Sequence, residues 1–275
     1  MSACSASVDA LPTREQVLSQ AAAENFTVAN CLLGRAATRH LTAVYGFARL
    51  VDDVGDEAAG DRDALLELLS CELDRIYRPG DDGPPRHPLM RELAVTVAAC
   101  RLPKQPFERL ICANRLDQRV TRYETFQQLL DYCQLSAAPV GELVLHIFGA
   151  ATEQRIKLSD HVCAGLQVLE HTQDIAEDYG RGRIYMPQED MDRCGCAERD
   201  LIQGGSPLAA LNALEVQRAR QLLAAGAPLV RTLSGRPRVA VAGFIAGGRK
   251  ALYELQHGRR RFGVAREFPR AVAGR

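Results

Sequence analysis

A chain of 275 residues is long enough to bury a full core as one large domain or two small ones. Lys and Arg number 34 against 34 Asp and Glu, which excludes a general nucleic-acid binder, since that would carry a basic excess. Tryptophan is absent while alanine, leucine and arginine are abundant, a composition suited to helices.

The first eleven residues read as a loose terminus. A helix is predicted over 12–23, opened by a capping box of Thr13 and Gln16. Glu24-Asn25-Phe26-Thr27-Val28 interrupts it. The next helix, over 35–51, runs into Asp52, Asp53 and Asp56, and Tyr45, Arg49, Asp52 and Asp56 follow one another at helical spacing on one stripe. Asp61 is the expected cap of a helix over 61–77. Residues 78–88, rich in Pro, Gly and Asp, form the clearest surface loop. Helices over 87–99 and 105–120 follow, the second containing Asp117 between two arginines. The apolar run 124–151 contains Pro139 and Gly141, which mark either a kink beside an internal ligand or a plain break between two core helices.

A long helix from 157 onward is expected to carry Asp174 and Asp178 on its last turns, with Gln167 and His171 extending their stripe. Acid at a helix C-terminus opposes the macrodipole, so the arginines Arg181 and Arg183, or bound cations, must offset it. Residues 188–206 read as irregular, and helices over 207–230 and 238–256 close the order. The tail 257–275 is arginine-rich, a solvated end or a contact for an anionic membrane surface. No strand-like alternation of useful length occurs, so the chain is predicted to be all-α and a single domain. His146 and His171 read as core histidines, and the nine cysteines as reduced core residues. Cys194 and Cys196 lack the second pair that a zinc site needs. No basic stretch followed by an apolar block opens the chain, and the longest apolar run, about 239–247, is too short to cross a bilayer. A cytoplasmic location is therefore expected.

Two helices thus each end in an Asp pair at i, i+4 with arginine beside it. Magnesium binds through one or two carboxylates per ion, keeps its waters, and takes further ligands from substrate phosphate. Arginine suits phosphate by its planar fork and serves equally as a carboxylate partner. No Gly-x-Gly-x-x-Gly occurs, which argues against a dinucleotide fold.

These motifs resemble the squalene/phytoene synthase family of head-to-head prenyl-diphosphate enzymes. The resemblance is carried by Tyr45-Gly-Phe-Ala-Arg49-Leu-Val-Asp52-Asp53-Val-Gly-Asp56, by Tyr132-Cys133 with Pro139-Val-Gly141, and by Gln173-Asp174-Ile-Ala-Glu177-Asp178 with Gly182-Arg183-Ile-Tyr-Met-Pro187. Within the family, Glu170-His-Thr-Gln173-Asp174 looks most like the hydroxysqualene synthase branch of bacterial hopanoid pathways. The resemblance implies an isoprenoid-synthase helical fold around a central cavity, with a catalytic domain over 24–256 between an N-terminal segment 1–23 and the tail 257–275. It implies Mg²⁺ on Asp52, Asp56, Asp174 and Asp178, with Asp53, Glu177 and Gln173 in support. Arg49, Arg181 and Arg183 would contact phosphate or balance charge, and Tyr45, Tyr132 and Asp117 would line the cavity. The serine-rich opening of phytoene synthases is here Glu24-Asn25-Phe26-Thr27, which leaves Asn25 as a candidate without a fixed role. The implied reaction is conversion of presqualene diphosphate to hydroxysqualene. Its alternatives are condensation of two prenyl diphosphates to squalene, dehydrosqualene or phytoene, or an inactive helical assembly protein on the same scaffold.

Overall fold

Helix α2 (Arg35–Asp56) is buried on every side from Ala43 to Leu50 in this computed structural model, which describes residues 7–23, 33–78, 80 and 83–256. A helix apolar all round belongs at the centre of a bundle, and α2 is packed by α1 (Arg14–Ala23), α3 (Arg62–Tyr77), α4 (Pro88–Cys100), α5 (Gln105–Asp117) and α7 (Ala138–Ile147). The predicted caps form. Thr13 and Gln16 make the reciprocal box, at 2.7 and 3.3 Å, and Asp61 accepts from the Ala64 N–H at 3.0 Å. Phe47 of α2 meets Phe107 of α5 edge-to-face at 5.0 Å in this first core.

A second core gathers around α8 (Glu153–Gln173), α12 (Ser206–Gly226) and α14 (Gly235–Gln256), with α6 (Phe126–Ser136) and α13 (Leu229–Thr232) against them. The architecture is all-α, as expected. Among the described residues the sole β-type pairing is an isolated bridge between Arg122 and Ile184.

One reading left open is settled and three expectations change. The apolar run 124–151 is two helices, broken at Ala137, with Pro139 in the first turn of α7, where no intrahelical hydrogen bond is lost. Gly141 lets α7 cross α8 closely, since a Cβ there would fall 2.3 Å from Ser159 Oγ. The second acidic motif does not ride on the end of α8: that helix stops at Gln173, and Asp174 joins it to the short α9 (Ile175–Gly180), which holds Asp178. Finally, the span after Pro187 is not irregular throughout, for it contains α10 (Gln188–Cys194) and α11 (Asp200–Gln203). Cys71 is disulfide-bonded, contrary to the expectation of reduced thiols throughout, and Cys112 is exposed. Asn25 and the basic tail lie outside the described residues.

Helix α10 docks on α12 through a buried acid pair. Arg218 donates to Asp190 at 2.6 Å and lies 3.9 Å over the Phe126 ring. Glu215 is wholly buried beside them, against the Asp190 carboxyl. Burial, working against Arg218, lifts the Glu215 carboxyl above its ordinary range, and Asp190 and Glu189 add to the rise. The folded protein therefore keeps a proton that the unfolded chain releases near its ordinary pKa of 4.5, so stability falls as pH rises from there through the raised value. Glu215→Gln should add about 1–3 kcal/mol of unfolding free energy at pH 8 and almost nothing at pH 4. Urea titrations at the two pH values test this; an equal gain at both would mean that Glu215 is not held protonated.

Candidate active site

The site lies between the two cores, where the C-terminal turns of α2 face α5 and α6. Asp52 and Asp56 line a recess of about 270 Å³, open in part to solvent, with Leu110, Asn114, Asp117, Tyr132 and Ser136. Asn114 donates to Asp52 at 3.0 Å. Gly55 makes that approach possible, because a Cβ at this position would stand 2.1 Å from Asn114 Oδ1. Burial, reinforced by Asp56, pushes the Asp52 carboxyl up to about 8, against the lowering effects of Asn114 and Arg49. Arg49 is itself buried and paired to Asp53 at 2.7 Å, so it balances charge inside the helix. Burial still lifts Asp53 to about 6. Tyr45 is buried a turn earlier and lines neither of the two recesses described here.

The second motif reaches the first through its arginines. After α9 the chain turns at Gly182, whose φ of 81° suits glycine, and runs beside residues 121–124. Ile184 N–H donates to Thr121 O at 2.9 Å and Gln188 N–H to Tyr123 O at 2.8 Å. This strap delivers Arg183 to Asp56 at 2.6 Å, across 127 positions of sequence. Arg181 stands 3.8 Å from Asp56 and 3.3 Å from Glu177. The strap also brings Tyr185, which donates to Asp117 at 3.2 Å while Tyr132 donates to the other oxygen at 2.7 Å. Burial raises Asp117 to about 6, against the pull of Arg183 and the tyrosine hydroxyls. Asp117 is the buried hub of an aromatic group in which Tyr123, Tyr132 and Tyr185 have ring centroids 5.5–5.7 Å apart.

Asp178 and Arg183 line a second recess of about 170 Å³ with His171, Tyr185 and apolar neighbours. Asp174 is half-buried at the junction of α8 and α9, and the neighbouring Gln173 has its amide nitrogen buried. The four aspartates do not crowd together: among the described residues no three Asp, Glu, His or Cys side chains form a ready-made ligand set. The donor set is nonetheless hard oxygen, with Asp52 and Asp56 on the first recess, Asp178 on the second and Asp174 lining neither. That fits an ion which completes its shell with water and phosphate rather than with a protein cage.

The model of the squalene/phytoene synthase family matches residues 19–272. The chain belongs to that family. Hydroxysqualene synthase of Rhodopseudomonas palustris is 35% identical over 210 residues, covering 75% of this chain and 70% of the relative. Phytoene synthase of Mycobacterium tuberculosis is 29% identical over 232 residues, covering 82% and 75%. Among solved structures, squalene synthase HpnC from Alicyclobacillus acidocaldarius superposes with a TM-score of 0.81 at 40% identity, covering 88% of this chain and 91% of that one. The chain is thus an enzyme of the prenyl-diphosphate synthase type. No helix among the described residues is long and apolar enough to cross a membrane.

Asn114, Tyr123 and Tyr185 were not singled out from sequence as site residues. Asn114 sits three before Asp117 on one face of α5, and Tyr185 lies within the Gly182–Pro187 motif, so both carried a signal. Glu142 of α7 pairs with Arg109.

Proposed function

We propose that the enzyme converts presqualene diphosphate to hydroxysqualene, with Asp52, Asp56, Asp174 and Asp178 holding Mg²⁺. The observation that carries the reading is the tie between the two acidic motifs: Arg183 and Arg181, from the second motif, converge on Asp56 of the first beside a partly open recess that Asp117 and Tyr132 also line. When bound, Mg²⁺ would draw charge from the departing diphosphate as the C–O bond ionises. Arg181 and Arg183 are placed to exchange Asp56 for phosphate oxygens, a swap that suits the guanidinium fork. Asp117 fixes the Tyr132 and Tyr185 rings through their hydroxyls, so that aromatic π-density is in place before positive charge develops. The apolar flanks of α5 and α6 limit water around the rearranged cation. Water then adds its oxygen to that cation, a proton leaves, and the products are a C30 alcohol and free diphosphate. Within the family, the hydroxysqualene product rather than squalene, dehydrosqualene or phytoene is favoured by the identity to the Rhodopseudomonas palustris relative. The catalytic domain is proposed as residues 24–256, Asn25 included.

Presqualene diphosphate should be consumed equally fast with and without NADPH. In ¹⁸O-labelled water the product should be a C30 alcohol carrying one labelled oxygen. An unlabelled hydrocarbon would overturn the water-capture reading, and no consumption of either presqualene or farnesyl diphosphate would favour the inactive scaffold.

A further inference from the structure

His171 is buried, and the aspartate-to-metal assignment gives it no task. It is nevertheless held on three sides by groups of the site. Its ring stacks on Tyr185 with centroids 3.8 Å apart and planes 16° from parallel. Its Nε2 lies 3.0 Å from Gln167 Nε2, one turn earlier on α8. Its Nδ1 faces Asp178 Oδ2 at 3.8 Å, too far for a hydrogen bond and close enough for an electrostatic contact. Gln167 is fully buried, so its amide cannot turn to bulk water for a partner.

The tautomer follows from these contacts. With the Gln167 amide donating, imidazole Nε2 is the acceptor and the proton of the neutral ring sits on Nδ1, aimed at the Asp178 carboxylate. The opposite amide orientation would put the proton on Nε2 and turn the Nδ1 lone pair toward a carboxylate, which is repulsive. Hydrogen-bonded outer-shell partners fix ligand orientation, and removing one typically lowers metal affinity about 10- to 100-fold; an electrostatic contact at 3.8 Å stands at the low end of that range.

We propose that Gln167, His171 and Asp178 form a positioning relay, in which His171 orients the Asp178 carboxylate toward Mg²⁺ and, through its stack, seats Tyr185 on Asp117. The relay rests on the metal reading given above. It joins the two recesses, because Tyr185 and Arg183 line the second and donate to Asp117 and Asp56 of the first. His171 touches no reacting atom in this scheme; it acts through Asp178 and Tyr185.

The test is calorimetric titration of Mg²⁺ into the full-length protein saturated with inorganic diphosphate, which needs no turnover. His171→Phe keeps a ring against Tyr185 and removes the nitrogen that faces Asp178. It should weaken Mg²⁺ binding about tenfold while its circular dichroism stays that of the wild type. Gln167→Met keeps the imidazole and frees its tautomer, and should weaken binding about threefold. Wild-type affinity in His171→Phe overturns the relay; if that variant does not fold, wild-type affinity in Gln167→Met overturns it instead. Asp178→Asn separates the two levels. If it lowers affinity and His171→Phe does not, the relay alone fails, whereas wild-type affinity in Asp178→Asn overturns the metal assignment and the relay with it.

Discussion

Asp52→Asn and Asp174→Asn are each expected to lower turnover on the order of 10³-fold while leaving the helical fold intact. The two should differ in stability, because the carboxyls sit in different fields. Asp52 is pushed up to about 8 by burial and by Asp56, so between its ordinary 3.8 and that value the folded protein retains a proton the unfolded chain has lost. Wild-type stability therefore falls as pH rises across this window, and a neutral amide removes the fall. Asparagine still offers Oδ1 to the Asn114 amide that now donates to Asp52. Asp52→Asn should consequently melt about 2–4 °C above wild type at pH 8 and match it at pH 4. Asp174 is at once the C-cap of α8, where a carboxylate opposes the macrodipole, and the N-cap of the short α9, where it is favoured, so the two effects offset and its amide variant should melt within about a degree of wild type. Turnover at saturating Mg²⁺ and thermal melts at both pH values check the pair. Near-normal turnover in either variant would remove that residue from the metal set. Stability that collapsed in both would instead make the aspartates supports of the fold.

That contrast shows where sequence reasoning reached and where it stopped. The two i, i+4 Asp pairs, the Thr13–Gln16 box and the Asp61 cap are set by neighbours within one helical turn, and local spacing exposes them. The break at Asp174 is different. Its flanks, Glu170-His-Thr-Gln and Ile-Ala-Glu-Asp, both form helix without effort, and what ends α8 is the need to swing the strap back along residues 121–124. The same holds for Ala137: Pro139 announces a disturbance, but only the crossing of α7 over α8 at Gly141 decides for two helices. In sequence Asp117 is only an acid between two arginines, because its partners, Tyr132, Tyr185 and Arg183, come from later elements. Arginine pairing was the least legible feature. Arg49 and Arg183 each lie near several acids in sequence, and the structure gives Arg49 to Asp53 within its own helix and Arg183 to Asp56, 127 positions away.

Arg183 is the residue whose loss should cost the fold most. Its side chain is 12% exposed and that of Asp56 6%, so the pair is largely withdrawn from water, and Asp117 shares the same field. Removing one partner of a buried pair strands the other charge, which typically costs about 3–5 kcal/mol. Arg183→Met should thus melt about 6–15 °C below wild type, with turnover lost because Asp56 and the strap bearing Tyr185 lose their tie. If the cost is the stranded charge, neutralising it should recover stability: Arg183→Met with Asp56→Asn should lie about 1–3 kcal/mol above the sum of the two single losses. Arg181, 3.8 Å from Asp56, sets a limit on the effect, since it can move in to compensate. Thermal melts of the two singles and the double give the coupling directly. A melting point for Arg183→Met within about 2 °C of wild type would put the pair at the strength of a surface contact. The two acidic motifs would then be held in register by the backbone pairing of residues 121–124 with the strap, and not by the ion pair between them.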